Sequence, residues 1–107
     1  MLDAVKKEID LITNSVIAST PAEAIYLFGS YAGGQPRDDS DLDIYVVVPD
    51  AETDTVELGA KIRATLYKKK TIPLDLLIGR KSVFERRKAE LSLENIIATE
   101  GIKIYGS

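Results

Sequence analysis

Phe28-Gly29-Ser30-Tyr31-Ala32-Gly33-Gly34-Gln35-Pro36-Arg37-Asp38-Asp39-Ser40-Asp41-Leu42-Asp43 is the stretch on which the fold turns, because an apolar run flanks it on either side. Ala24-Ile25-Tyr26-Leu27-Phe28 leads into Gly29-Ser30, and ten residues later Asp41-Leu42-Asp43 opens the run Ile44-Tyr45-Val46-Val47-Val48. Both runs have the aromatic and β-branched content of strands. A Gly-Ser pair leaving a strand frees backbone N–H groups and a hydroxyl, donors that suit the oxygens of a phosphate chain. Strand period two puts Asp41 and Asp43 on one face. Carboxylates about 6 Å apart at an effective dielectric of about 20 repel by roughly 3 kcal/mol, so the bare pair is unfavourable on a half-buried strand. A hard divalent ion reverses that sign. Magnesium takes one or two carboxylates together with water and substrate phosphates, and phosphoryl chemistry often uses two such ions. The spacing therefore predicts a nucleoside triphosphate site with magnesium, or manganese in its place.

Composition narrows the chemistry. The 107 residues predict one domain with an ordinary core. The absence of Cys and His excludes thiolate nucleophiles, disulfides, structural zinc and an imidazole base, leaving carboxylates for acid–base or metal work. A net charge of −3 argues against general nucleic-acid binding, which needs a basic stripe. No apolar stretch is long enough to span a bilayer, and Met1-Leu2-Asp3-Ala4-Val5-Lys6 does not resemble a signal peptide, so no membrane partner and a cytoplasmic location are expected.

Leu2, Val5, Ile9, Ile12 and Val16 recur at steps of three and four, predicting an amphipathic helix over 2–19 that packs on a sheet. Ser30 to Gly33 can open a short helix. Asp50, Glu52 and Asp54 precede a helix with Leu58, Ile62 and Leu66 on its buried face, and Lys68-Lys69-Lys70 is expected to close it as the helix dipole prefers. Leu74-Asp75-Leu76-Leu77-Ile78 is a third strand, ended by Gly79. Ser82-Val83-Phe84-Glu85 matches a capping box, Leu93, Ile96 and Ile97 mark a last helix, and Ile102-Lys103-Ile104-Tyr105 alternates as a closing edge strand. The order α-β-(short α)-β-α-β-α-α-β predicts an α/β or α+β domain with a small mixed sheet covered by helices. Asp38 and Asp39 are expected to be solvated loop residues. Tyr31 and Tyr45 are expected in core packing rather than stacked on a base.

Asp75 is an acid among aliphatics, and an ionised carboxylate in a buried strand costs several kcal/mol unless paired or liganded. If its strand lies beside Asp41-Leu42-Asp43, three carboxylates converge near Gly29-Ser30. That combination, Gly29-Ser30, ten residues, Asp41-x-Asp43 and a later lone Asp75, resembles the nucleotidyltransferase fold of the DNA polymerase beta superfamily over about residues 22–105. The short length resembles its minimal members, small nucleotidyltransferases paired with HEPN-domain partners, several of which act as antitoxins by adenylylating the partner toxin. The resemblance implies that Gly29 and Ser30 hold the terminal phosphates of ATP. It implies that Asp41 and Asp43 ligate the metal ions, and that Asp75 completes the set and orients or deprotonates the acceptor hydroxyl.

Relatives often read Gly-Ser-x-Ala-Arg-Gly, whereas this chain reads Gly29-Ser30-Tyr31-Ala32-Gly33-Gly34, so a forked phosphate ligand is missing unless Arg37 supplies one. Two alternatives stay open on sequence alone: a non-catalytic binding protein with this fold, and a transferase acting on a small hydroxyl compound. The sequence also leaves open a homo-oligomer, the base preference and the acceptor.

Overall fold

The computed structural model describes residues 3–37 and 39–106, so Leu2 and Asp38 lie outside the described residues. The elements run α1 (Asp3–Ser19), β1 (Ala24–Phe28), α2 (Gly29–Ala32), β2 (Leu42–Val48), α3 (Thr55–Leu66), β3 (Leu74–Arg80), α4 (Lys81–Arg87), α5 (Leu93–Glu100) and β4 (Ile102–Gly106). This is the order expected from the hydrophobic periods. The four strands form a mixed sheet in the order β3-β2-β1-β4, with β1 antiparallel to β2 and β4 and with β2 parallel to β3.

Alternation assigns the two faces. Ile25, Leu27, Leu42, Ile44, Val46 and Val48 point to one side, where they meet Val5, Ile9, Ile12 and Val16 of α1 and Leu58, Ile62 and Leu66 of α3. Ala24, Tyr45 and Val47 point to the other, against Phe84 of α4 and Ile97 of α5. β2 is thus covered on both faces, which explains its near-continuous apolar run. Burying each of its aliphatic side chains contributes about 1.5–3 kcal/mol before entropy is charged against it.

Four details differ from the sequence expectations. Gly79 does not end β3, which continues to Arg80. Lys68-Lys69-Lys70 lies beyond α3 rather than closing it: the helix stops at Leu66, and Lys68 takes a left-handed conformation (φ 61°) that turns the chain. Ser82 does not cap α4, which begins one residue earlier. Its N–H instead donates to Asp50 Oδ1 at 2.9 Å, so a carboxylate just past the end of β2 does the capping across the chain and is held below the usual acid range by that bond. Asp75 is exposed, because β3 is an edge strand; the buried-acid argument fails for it, although its placement does not depend on that argument.

Candidate active site

β2 and β3 run parallel in a register that pairs Leu42 with Leu74 and Asp43 with Asp75. The two acids therefore share a face and an end of the sheet. It is the face covered by α4 and α5, because Leu42 and Leu74, one residue before each acid, turn to the α1–α3 side. Asp41 is exposed and immediately precedes β2. Asp43 is half-buried. Its carboxyl is pushed above the usual range, first by burial, then by the charges of Asp75 and Asp41, and finally by a hydrogen bond with Asp75. Asp43 is thus the member on which both other acids act.

Gly29 completes this end of the face. Phe28 pairs with Asp43 across β1 and β2, and the chain then turns with φ +73° at Gly29. A Cβ there would fall 2.0 Å from Asp43 Oδ2, so only glycine lets the turn approach the carboxylate. Ser30 follows, half-buried, in the four-residue helix α2, and its carbonyl accepts the N–H of Gln35 at 3.2 Å. Across the loop the Arg37 N–H donates to Ser40 Oγ at 2.8 Å, and Asp39 is exposed. Gly33 is exposed, and a Cβ there would meet nothing nearer than 3.8 Å, so glycine is not a steric requirement at that position.

Among the described residues, no group of three or more acids is drawn together closely enough to hold a metal ion unaided. The donor set nonetheless fits a hard cation. It is oxygen only, Asp43 and Asp75 lie side by side in register, and a magnesium-type ion keeps water and substrate oxygens among its ligands.

The sequence did not point to a second polar cluster on the same face. Tyr45, two residues along β2 from Asp43, is buried and donates its hydroxyl to Glu94 Oε2 at 3.2 Å. Glu94, at the start of α5, accepts Arg87 Nε on its other oxygen at 2.8 Å. The Tyr45 ring lies 5.3 Å from that of Phe84, and its hydroxyl lies where a Cβ on Gly79 would be, at 2.0 Å. Burial opposes the charge on Glu94, but the bonds from Arg87 and Tyr45 prevail and hold its carboxyl below the usual range. The Tyr45 hydroxyl is pushed up by burial and by Glu94. The signal that could have found this cluster is an acid three residues before Ile97, on the buried stripe of α5. Tyr31 is half-buried against the α1–α3 core, so both tyrosines pack as expected.

The chain belongs to the polymerase beta nucleotidyltransferase family, whose model matches residues 7–107. Among solved structures it is similar to a protein from Sulfolobus solfataricus provisionally described as a nucleotidyltransferase, at 19% identity and TM-score 0.62, covering 99% of this chain and 89% of that one. A chain of a toxin–antitoxin complex with AMP-PNP matches at 25% identity and TM-score 0.61, covering 99% and 75% respectively. A chain of the MntA–HpeT toxin–antitoxin complex, a double Asp-to-Glu mutant, matches at 23% identity and TM-score 0.53 over the same shares. Comparison with curated proteins finds no significant match. No helix among the described residues is long and apolar enough to cross a membrane.

Proposed function

We propose that this chain is a magnesium-dependent nucleotidyltransferase antitoxin that transfers AMP from ATP to a hydroxyl on a HEPN-type toxin partner. The observation that carries this reading is the pairing of Asp43 with Asp75 beside Gly29, with Asp41 close enough to act on Asp43. The likeness to a toxin–antitoxin complex with AMP-PNP supports the nucleotide and the kind of partner. Gly29 and Ser30 would bind the terminal phosphates through backbone N–H groups and the hydroxyl. Asp41 and Asp43, with Asp75, would hold one or two magnesium ions, which when bound offset charge on the triphosphate oxygens. Asp75, exposed on its edge strand, would accept the acceptor's proton. The acceptor oxygen then bonds to the α-phosphorus, and the bond from that phosphorus to the bridging oxygen breaks to release pyrophosphate. The chain acts as a single domain in the cytoplasm in this reading, without general nucleic-acid binding.

Gly33 favours a second reading, in which the fold neutralises its partner by covering it, because glycine offers no side-chain donor to a phosphate at that position. One experiment separates the two. With labelled ATP, magnesium and the co-expressed toxin, the wild-type chain labels the toxin, and Asp43→Ala lowers labelling at least about a thousandfold, the scale of losing several kcal/mol of transition-state stabilisation. Toxin neutralised equally well by Asp43→Ala, without label, selects the covering mode.

A further inference from the structure

Asp43 and Asp75 face each other across the parallel pair β2–β3, and the segment 71–75 that leads into Asp75 is tied down by bonds from several elements. Glu8 lies on α1, on the face of the sheet away from the acids, yet is only 7% exposed, an acid set in a helix stripe otherwise made of Val5, Ile9 and Ile12. Its Oε1 accepts the N–H groups of both Thr71 and Ile72 at 2.7 Å. Lys70 Nζ donates to the Ile72 carbonyl in the same turn. The next carbonyl, of Pro73, accepts the N–H of Leu42 at 2.8 Å, and Leu42 is the residue between Asp41 and Asp43. The Leu74 carbonyl accepts Arg63 Nη1 of α3 at 3.3 Å, and Asp75 follows. A single five-residue strap thus collects bonds from α1, α3 and β2 and sets how the start of β3 meets the start of β2.

We propose that Glu8 is a positioning residue for the acid cluster: by anchoring the backbone of Thr71 and Ile72 it fixes the separation of Asp75 from Asp41 and Asp43, and so the affinity of the site for a divalent cation. The inference rests on the cation-binding reading given above. Glu8 touches neither ligand nor acid; it acts through the backbone of the strap, in the way that outer-shell partners tune the groups that coordinate.

Titration of the full chain with manganous ion, followed by the paramagnetic signal of the free ion, tests this without any acceptor. Glu8→Ala weakens manganese binding by about tenfold or more, the usual effect of removing an outer-shell support. Glu8→Gln stays within about threefold of wild type, because the amide oxygen can still accept both N–H groups. A merely structural role lowers the melting temperature of Glu8→Ala but leaves the dissociation constant of the folded protein unchanged, and that result overturns the proposal. Should Glu8→Ala fail to fold, Arg63→Met, which removes the exposed bond to Leu74, carries the test: a loss of about tenfold supports the strap, and affinity within about threefold of wild type refutes it. If wild type and Asp43→Ala bind manganese equally, the cation site itself is absent and both readings fall; if only the Glu8 and Arg63 variants match wild type, the site stands and the strap does not.

Discussion

Two acid clusters lie on the same face of β2, two residues apart, and are built on opposite principles. At Asp43, burial, the charges of two neighbouring acids and a hydrogen bond with Asp75 all raise the carboxyl's pKa, and no cation is among those causes. At Glu94, an arginine and a tyrosine hydroxyl meet both oxygens and lower the pKa despite burial. Each cluster also has its own glycine: Gly29 leaves room for Asp43, and Gly79 for the Tyr45 hydroxyl. The Glu94 cluster is complete within the chain and acts as a brace tying α4 and α5 to β2. The Asp43 cluster is left in deficit of positive charge, the arrangement of a site that a ligand completes.

Exchanging the glycines is the strongest way to break this contrast. Gly29→Ala places a methyl on Asp43 at a left-handed position, and it should weaken binding of magnesium–ATP by about tenfold or more in a calorimetric titration. Gly79→Ala meets the buried Tyr45 ring, so it should cost about 2 kcal/mol in urea denaturation while leaving nucleotide affinity unchanged. If both substitutions weaken ATP binding alike, the two clusters are one functional unit. Next in size, Glu94→Ala strands the Tyr45 hydroxyl and one side of Arg87. With Arg87 44% exposed, the loss should be about 2 kcal/mol rather than the larger cost of a fully buried pair, and a urea midpoint equal to wild type contradicts the brace.

The order of elements was legible because each carries its period openly: Val5, Ile9, Ile12 and Val16 on α1, and the unbroken aliphatics of β2. The juxtaposition of Asp43 and Asp75 was foreseeable only as a condition, since strand order and register are tertiary facts. Partner choice at a distance was not legible. Ser82 has the local signature of a cap, but Asp50 lies close enough to take its N–H, and the nearer carboxylate wins. Glu8 and Glu94 stand on apolar helix stripes, but what meets them there, the strap and Arg87, is set by tertiary contact alone. Asp75 looked buried because β3 is aliphatic, and only its edge position shows that one side of that strand meets water.

The smallest effects test the contrast most sharply, because their signs are opposed. Asp43→Asn relieves repulsion, so the chain without cation should gain on the order of 1 kcal/mol at neutral pH, read from urea denaturation in chelator. A group whose pKa is higher in the folded than in the unfolded chain contributes stability below its unfolded value, about 4, and loses it as pH rises through the folded value. Wild type should therefore fall behind Asp43→Asn as pH climbs from that point. Glu94 is depressed, so its contribution is present above about 4 and disappears as pH falls through its lower folded value; Glu94→Gln should match wild type only in acid. Saturating magnesium decides between the clusters. A bound cation favours the ionised carboxylate and inverts the slope at Asp43, while the slope at Glu94, already balanced by Arg87, stays as it was. If magnesium leaves both slopes untouched, the acids at the head of β2 do not form a cation site, and the contrast between an open and a completed cluster is lost.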